Sequence, residues 1–217
     1  MNVEADPERL EDMKAHGIRS FPAVIWGDRA FHGWDPRGLA SFFGIQYSEG
    51  RPLPSDELAR RLDRILAAAQ RAILQVPNER LQMKAPDRDR TVKDLAYHVF
   101  RLSMAYRDAM EQGMLKQEWI TSGAPPEMTD GPAIARYGEE VRGKLKDWMA
   151  RPDAFQGTVN TYDGPRNALD LLERTTWHAA QHLRQLYFFL EQMGVDPENP
   201  LADEDYRGLP LPKEVWS

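Results

Sequence analysis

Cysteine is absent from the 217 residues of the sequence. A disulfide, a zinc–thiolate site and a cysteine nucleophile are therefore excluded for this chain. An excess of basic residues is also missing, because 28 Lys and Arg against 34 Asp and Glu give a formal net charge of -6 at pH 7. Since nucleic-acid binding relies on a basic surface, we expect no nucleic-acid partner.

Long apolar runs are missing too. No stretch approaches the roughly 20 apolar residues that a transmembrane helix needs. The N-terminus has no signal-peptide pattern. We therefore expect no membrane partner and a cytoplasmic location. The length is enough for one substantial core and a smaller unit.

Four amphipathic segments predict the main helices of the chain. Apolar residues recur at spacings of three and four after Ser55, after Thr91, from 132 to 149 and from 167 to 193. Ser55 and Thr91 are the residue types that cap helix N-termini. The residues predicted to face the core include Leu58, Leu62, Ile65, Leu66, Ala69, Ile73, Val92, Leu95, Val99, Leu102, Met110, Ile134, Tyr137, Val141, Leu145, Trp148, Leu171, Leu172, Leu183, Leu186 and Phe189. Four such helices with loops of intermediate length are typical of a four-helix bundle.

Histidines in the apolar helix interiors suggest a metal site. His178 and His182 are four residues apart, so a helix places both imidazoles on one face, where they can hold one ion. A pair of this kind is more often unliganded, and a third ligand is needed to favour metal. His98 is the only other histidine of this region, since His16 and His32 precede it. We therefore predict that His98, His178 and His182 are metal ligands.

Neighbouring residues allow two interpretations each. Asp94, one turn before His98, could accept a hydrogen bond from a liganding imidazole or simply cap its helix. Gln185 could reach a ligand or lie at the rim of the core. Tyr97 and Trp177 could line a pocket or pack in the core.

The two histidine motifs together resemble a known family. They read Thr91-Val-Lys-Asp-Leu-Ala-Tyr-His98 and Trp177-His-Ala-Ala-Gln-His182-Leu-Arg-Gln185. Over about 56–217 the chain resembles the DinB-like superfamily of metal-binding four-helix bundles. The resemblance implies a divalent ion, zinc or nickel first, held by the three histidines and water. Some members of that family are transferases or isomerases that use a small thiol such as mycothiol, bacillithiol or glutathione.

The first 47 residues have a different composition and predict a small α/β segment. A strand over 21–26, a Gly27-Asp28 turn and a returning strand over 30–32 predict a hairpin. A helix should follow, with Asp35 as its N-cap and Pro36 at its first position.

That order of elements resembles the C-terminal half of a glutaredoxin, which has a thioredoxin-like fold. The resemblance is carried by Ser20-Phe21-Pro22 and Gly33-Trp34-Asp35. It implies that Pro22, Gly33 and Asp35 contact glutathione. The half that carries the Cys-x-x-Cys turn is missing, so we expect no thiol–disulfide exchange. The segment is then either the remainder of a longer domain, a docking unit or a packing appendage.

These patterns combine into a mainly α protein with a partial thioredoxin-like segment at 1–47, a linker at 48–55 and a DinB-like four-helix bundle at 56–217. The predicted function is transfer of a small thiol, of the glutathione type, to a small electrophile with the help of a divalent metal. The alternative is a non-enzymatic metal-binding, regulatory or assembly protein. For either function, the oligomer that we consider is a homodimer. Haem is disfavoured because ligands one turn apart on one helix suit a compact ion. No catalytic residue is assigned.

Overall fold

A computed structural model describes residues 11, 15–18, 23–32, 36–46, 53–85, 89–162 and 164–216. The chain divides into two compact units, Met1–Gly50 and Arg51–Ser217. The described residues are mainly helical and include two small antiparallel sheets, which confirms the predicted mainly α class. No helix within the described ranges is long and apolar enough to cross a membrane.

The first unit contains the predicted hairpin and a helix. Strand β1 (Ala23–Trp26) pairs antiparallel with β2 (Arg29–His32). Gly27 lies between them with a φ of 60°, a backbone conformation that glycine adopts without steric cost. Helix α1 (Pro36–Phe43) follows, and its Phe43 ring lies 5.0 Å from that of Trp26 between centroids. Aromatic contacts therefore hold this helix to the hairpin.

The second unit is built on four long helices. They are α2 (Ser55–Gln75), α3 (Val92–Gln112), α5 (Gly131–Met149) and α6 (Ala168–Gln192), with the short helices α4 (Glu118–Thr121) and α7 (Asp203–Tyr206) between and after them. Helices α2 and α3 each pack against both α5 and α6. The four helices therefore enclose one core, and α3 and α6 share a long contact.

The apolar faces predicted from the sequence form that core. All the residues predicted to face inward are buried except Met110 and Tyr137, which are partly buried and pack against it. Helices α3 and α5 approach especially closely where Gly138 faces the buried ring of Phe100. A Cβ atom built on Gly138 would lie 2.6 Å from Phe100 Cε1. Glycine is therefore required by packing at this position.

Helix starts agree with the sequence prediction in one case and differ in another. The Thr91 hydroxyl accepts a hydrogen bond from the Asp94 backbone amide at 3.1 Å, which confirms Thr91 as the N-cap of α3. The prediction that Ser55 is an N-cap was wrong. Pro54 occupies the cap position without a side-chain hydrogen bond, and its carbonyl accepts the first helical bond from the Leu58 amide. Ser55 is consequently the first residue of α2.

Two further elements lie between the long helices. Strand β3 (Thr158–Thr161) pairs antiparallel with β4 (Gly164–Asn167) in a hairpin that precedes α6. Helix α4 lies between α3 and α5. The backbone amide of Leu115 donates to the carbonyl of Asn160 at 2.8 Å. This bond fastens the chain between α3 and α4 to the hairpin.

The chain after α7 packs back on the long helices. Leu209 is buried, and the ring of Trp216 lies 5.7 Å from Phe188 and 5.6 Å from Phe189 between centroids. Both phenylalanines belong to α6. The same helix therefore carries two of the predicted metal ligands and receives the end of the chain.

Candidate metal centre

The three histidines come from two helices that pack against each other. His98 lies on the second turn of α3, after the Thr91 cap. His178 and His182 lie one turn apart in the middle of α6. Because α3 and α6 are neighbours in the core, their facing sides meet at these residues.

The geometry brings all three imidazoles together. The ring centroids of His98 and His182 are 4.9 Å apart, those of His178 and His182 are 4.6 Å apart, and those of His98 and His178 are 5.6 Å apart. One ligand nitrogen from each residue lies within 4.8 Å of the other two. The cluster could therefore hold a metal ion, and it is the one such grouping of ligand residues that the described part of the chain contains.

Burial favours the neutral form that a metal ligand needs. His98 and His182 are 4% and 5% exposed, whereas His178 is half-buried. Burial, followed by the neighbouring His182 and His178, holds the pKa of His98 well below its ordinary value. A neutral imidazole keeps the lone pair that coordinates a metal. The donor set of three imidazoles suits zinc, nickel, cobalt or iron, so it does not select one of them.

Asp94 binds the side chain of Thr91, the residue that caps α3. One of its carboxylate oxygens accepts from the Thr91 hydroxyl at 2.6 Å, and the other accepts from the Ala124 backbone amide at 2.9 Å. The carboxylate therefore joins the start of α3 to the loop that follows α4. These contacts favour the capping interpretation of Asp94 over a role as hydrogen-bond acceptor for His98.

Gln185 is the polar neighbour that does touch a histidine. Its side-chain oxygen lies 2.6 Å from Nδ1 of His182, and both residues are buried. The spacing of three residues on one helix had suggested this contact. Of the flanking aromatics, Trp177 stacks on His178 at 5.5 Å between centroids, whereas Tyr97 stacks on Tyr137 at 5.2 Å. Trp177 therefore borders the cluster directly.

A small cavity lies beside the half-buried His178. Its volume is about 30 Å³, far below the roughly 300–1,000 Å³ of typical ligand pockets. The walls are mostly apolar, with Arg174, Thr175 and Tyr162 as polar members, and include Leu115 and Ile120 from the chain around α4. Arg174 was not singled out from the sequence. Its position one turn before His178 was the signal that could have found it.

The residues predicted to bind glutathione, Pro22, Gly33 and Asp35, lie outside the described part of the chain. Their role therefore stays a prediction. The structure brings together all three predicted metal ligands. No protein-family model matches the sequence, and no curated protein is significantly similar to it.

Proposed function

We propose that residues 56–217 form a DinB-like four-helix bundle that binds one divalent ion, zinc or nickel, through His98, His178 and His182. We further propose that the protein is a metal-dependent transferase that joins a small thiol to a small electrophile. The convergence of three imidazoles beside a cavity is the observation that carries this proposal. Three protein ligands are the usual number in a catalytic zinc site, where a further position stays open.

The reaction needs a sulfur nucleophile at neutral pH, and this chain supplies none of its own. A divalent ion at the cluster would lower the pKa of a thiol from solution, which is otherwise near 8.5. In the transfer the sulfur forms a bond to an electrophilic carbon, the leaving group departs with the bonding electron pair, and the thiol proton passes to water. The mostly apolar walls beside His178 offer few hydrogen-bond partners to competing water.

Arg174 favours a substrate that carries a negative charge. It lines the cavity together with His178 and lies one turn before it on α6. Its guanidinium donates to the Tyr162 hydroxyl and lies 5.5 Å from the centre of that ring. A guanidinium has five N–H donors in a fork that matches a carboxylate. A thiol or electrophile with a carboxylate is therefore the substrate class that this wall fits best.

The first unit is proposed as a partial glutaredoxin-like segment in which Pro22, Gly33 and Asp35 bind the same class of thiol. Its support is the described hairpin and helix, which follow the order expected for that half of the fold. Both families that the chain resembles act with small thiols. Their occurrence in one chain supports the proposal by analogy between families.

A second candidate function is metal binding without catalysis, in a regulatory or assembly protein. The small volume of the cavity beside His178 favours it, because about 30 Å³ does not admit a thiol and an electrophile together. Catalysis would require the cavity walls near Leu115 and Ile120 to move. The two functions therefore differ in whether added thiol and electrophile react.

The test uses zinc-loaded protein with monobromobimane as the electrophile and either mercaptoacetate or mercaptoethanol as the thiol. We expect bimane thioether formation with release of bromide, faster with the carboxylate-bearing mercaptoacetate. His182→Ala should abolish the enzymatic rate, and Arg174→Gln should remove the preference for mercaptoacetate. Zinc bound at one ion per chain without any rate above the uncatalysed reaction would favour the second candidate. Absence of zinc binding would overturn both.

A further inference from the structure

The hydrogen bonds around Gln185 fix the tautomer of His182. The Gln185 amide nitrogen Nε2 donates to the Val215 carbonyl at 3.0 Å. Its oxygen Oε1 therefore faces Nδ1 of His182, 2.6 Å away. Because an amide oxygen only accepts, Nδ1 must carry the hydrogen of the neutral ring. The lone pair is then on Nε2, the nitrogen that remains to coordinate a metal.

The Val215 carbonyl belongs to a C-terminal segment that α6 holds along its length. We define this C-terminal segment as residues 212–216. The Gln181 amide donates to the carbonyls of Glu214 at 3.1 Å and Val215 at 2.7 Å. The Arg184 guanidinium donates to those of Pro212 at 2.7 Å and Lys213 at 2.8 Å.

These contacts restrict the orientations that the side chains of Gln181, Arg184 and Gln185 can adopt. The oxygen of Gln181 accepts from Arg184 at 2.8 Å, so the two donors to the C-terminal segment also brace each other. Gln181 and Gln185 are 5% and 4% exposed. Buried amides satisfied at both ends have one favourable orientation, since rotation would leave polar atoms without partners. The C-terminal segment thus determines which way Gln185 presents its oxygen.

We propose that Gln185 is a positioning residue that couples the metal centre to the C-terminal segment. Docking of the segment holds the amide of Gln185, and the amide holds His182 in the tautomer that binds metal. This inference rests on the metal-binding part of the proposed function and does not require catalysis. By thermodynamic linkage, docking of the segment increases metal affinity, and bound metal stabilises docking by the same factor.

The main measurement is zinc affinity by competition with a chromogenic chelator. Gln185→Leu removes the acceptor for His182 and should weaken zinc binding about 10- to 100-fold. Gln185→Glu keeps an acceptor for Nδ1–H but has no donor for Val215, so it should retain zinc affinity within about threefold while breaking the connection between His182 and the segment. The matched control is Gln75→Leu, because Gln75 likewise bridges its helix to backbone, at Asp196 and Glu198, away from the cluster.

Deletion of residues 212–217 tests the coupling itself. It should weaken zinc binding about 2- to 10-fold when Gln185 is present, the effect of losing one buried hydrogen bond. In Gln185→Leu or Gln185→Glu the same deletion should have no effect, because the connection is already broken. Circular dichroism on each variant checks that the helices are retained.

A second readout uses the exposed Lys213, after which trypsin cleaves. Release of the terminal peptide, followed by mass spectrometry, should slow on addition of zinc in the wild type but not in Gln185→Leu. Zinc affinity and peptide release that are unchanged in Gln185→Leu would overturn the coupling while leaving the metal centre intact. A wild-type protein that binds no zinc would overturn the metal centre itself.

Discussion

The imidazoles of His98 and His182 lie 4.9 Å apart between ring centroids, although they belong to different helices. Their approach follows from the packing of α3 against α6, whose apolar faces are buried in the same core. Hydrophobic packing of the two helices therefore places the ligands close together. A site of this kind is preorganised, so metal affinity should respond to ligand substitution while folding should not.

Substitution of one ligand should separate metal binding from folding. His182→Ala removes one of the three imidazoles, and we expect zinc content after dialysis to fall from about one ion per chain to nearly none. Far-UV circular dichroism should keep its helical signal. His16→Ala is the control, because His16 lies in the other unit. Equal zinc content in His182→Ala and wild type would refute the assigned site.

Removal of the ion should lower the melting temperature without unfolding the protein. At a zinc concentration of about 100 times Kd, binding adds about 2.7 kcal/mol to the free energy of unfolding. For a chain of this size the corresponding decrease on chelation is about 5 to 11 °C. Differential scanning calorimetry with and without chelator measures it. Loss of helical signal at room temperature on chelation would instead show that the ion supports the fold.

Replacement of Asp94 should affect stability more than metal affinity. Asp94→Ala removes the acceptor for the Thr91 hydroxyl and the Ala124 amide. We expect a loss of about 1 to 2 kcal/mol in the free energy of unfolding, measured by urea denaturation. Zinc affinity should stay within about threefold of wild type. A decrease of 10-fold or more would mean that the carboxylate acts on His98 after all.

Two glycines on α5 should respond to alanine in opposite directions. A Cβ atom at Gly138 would lie 2.6 Å from Phe100 Cε1, whereas one at Gly143 would meet nothing within 4 Å. Gly138→Ala should therefore destabilise the protein by about 1 to 3 kcal/mol through overpacking. Gly143→Ala should stabilise it by about 1 kcal/mol through helix propensity. Thermal melts of the two variants compare them directly, and an equal shift in both would contradict the packing argument.

The sequence predicted the histidine cluster because its signals are periodic. The four-residue spacing of His178 and His182 determines a common helix face, and His98 lies on a helix whose apolar pattern is equally regular. The same reasoning could not predict that Gln185 donates a hydrogen bond to Val215. Val215 contributes a backbone carbonyl, which every residue has, so no residue type marks it. The contact depends on how the end of the chain packs against α6.

Competing backbone hydrogen bonds explain why some helix and strand boundaries differ from those predicted. Ser55 has a capping side chain, yet the helix begins one residue earlier than a Ser55 cap would allow, because the Pro54 carbonyl accepts its first bond. Gly164 and Pro165 directly precede the helix predicted from 167, and they pair with β3. Short strands have too few residues for a clear alternation, so the hairpin depended on pairing that the sequence pattern does not express.

The backbone bond between Leu115 and Asn160 has a kinetic consequence. Leu115 and Ile120 form part of the wall beside His178, and the bond from the Leu115 amide ties that wall to the β3–β4 hairpin. If an ion exchanges through this side, opening of the wall is a local event with its own free energy. Residence time at the centre would then be set by how often the wall opens. Two variants of equal affinity could therefore lose metal to a chelator at very different rates.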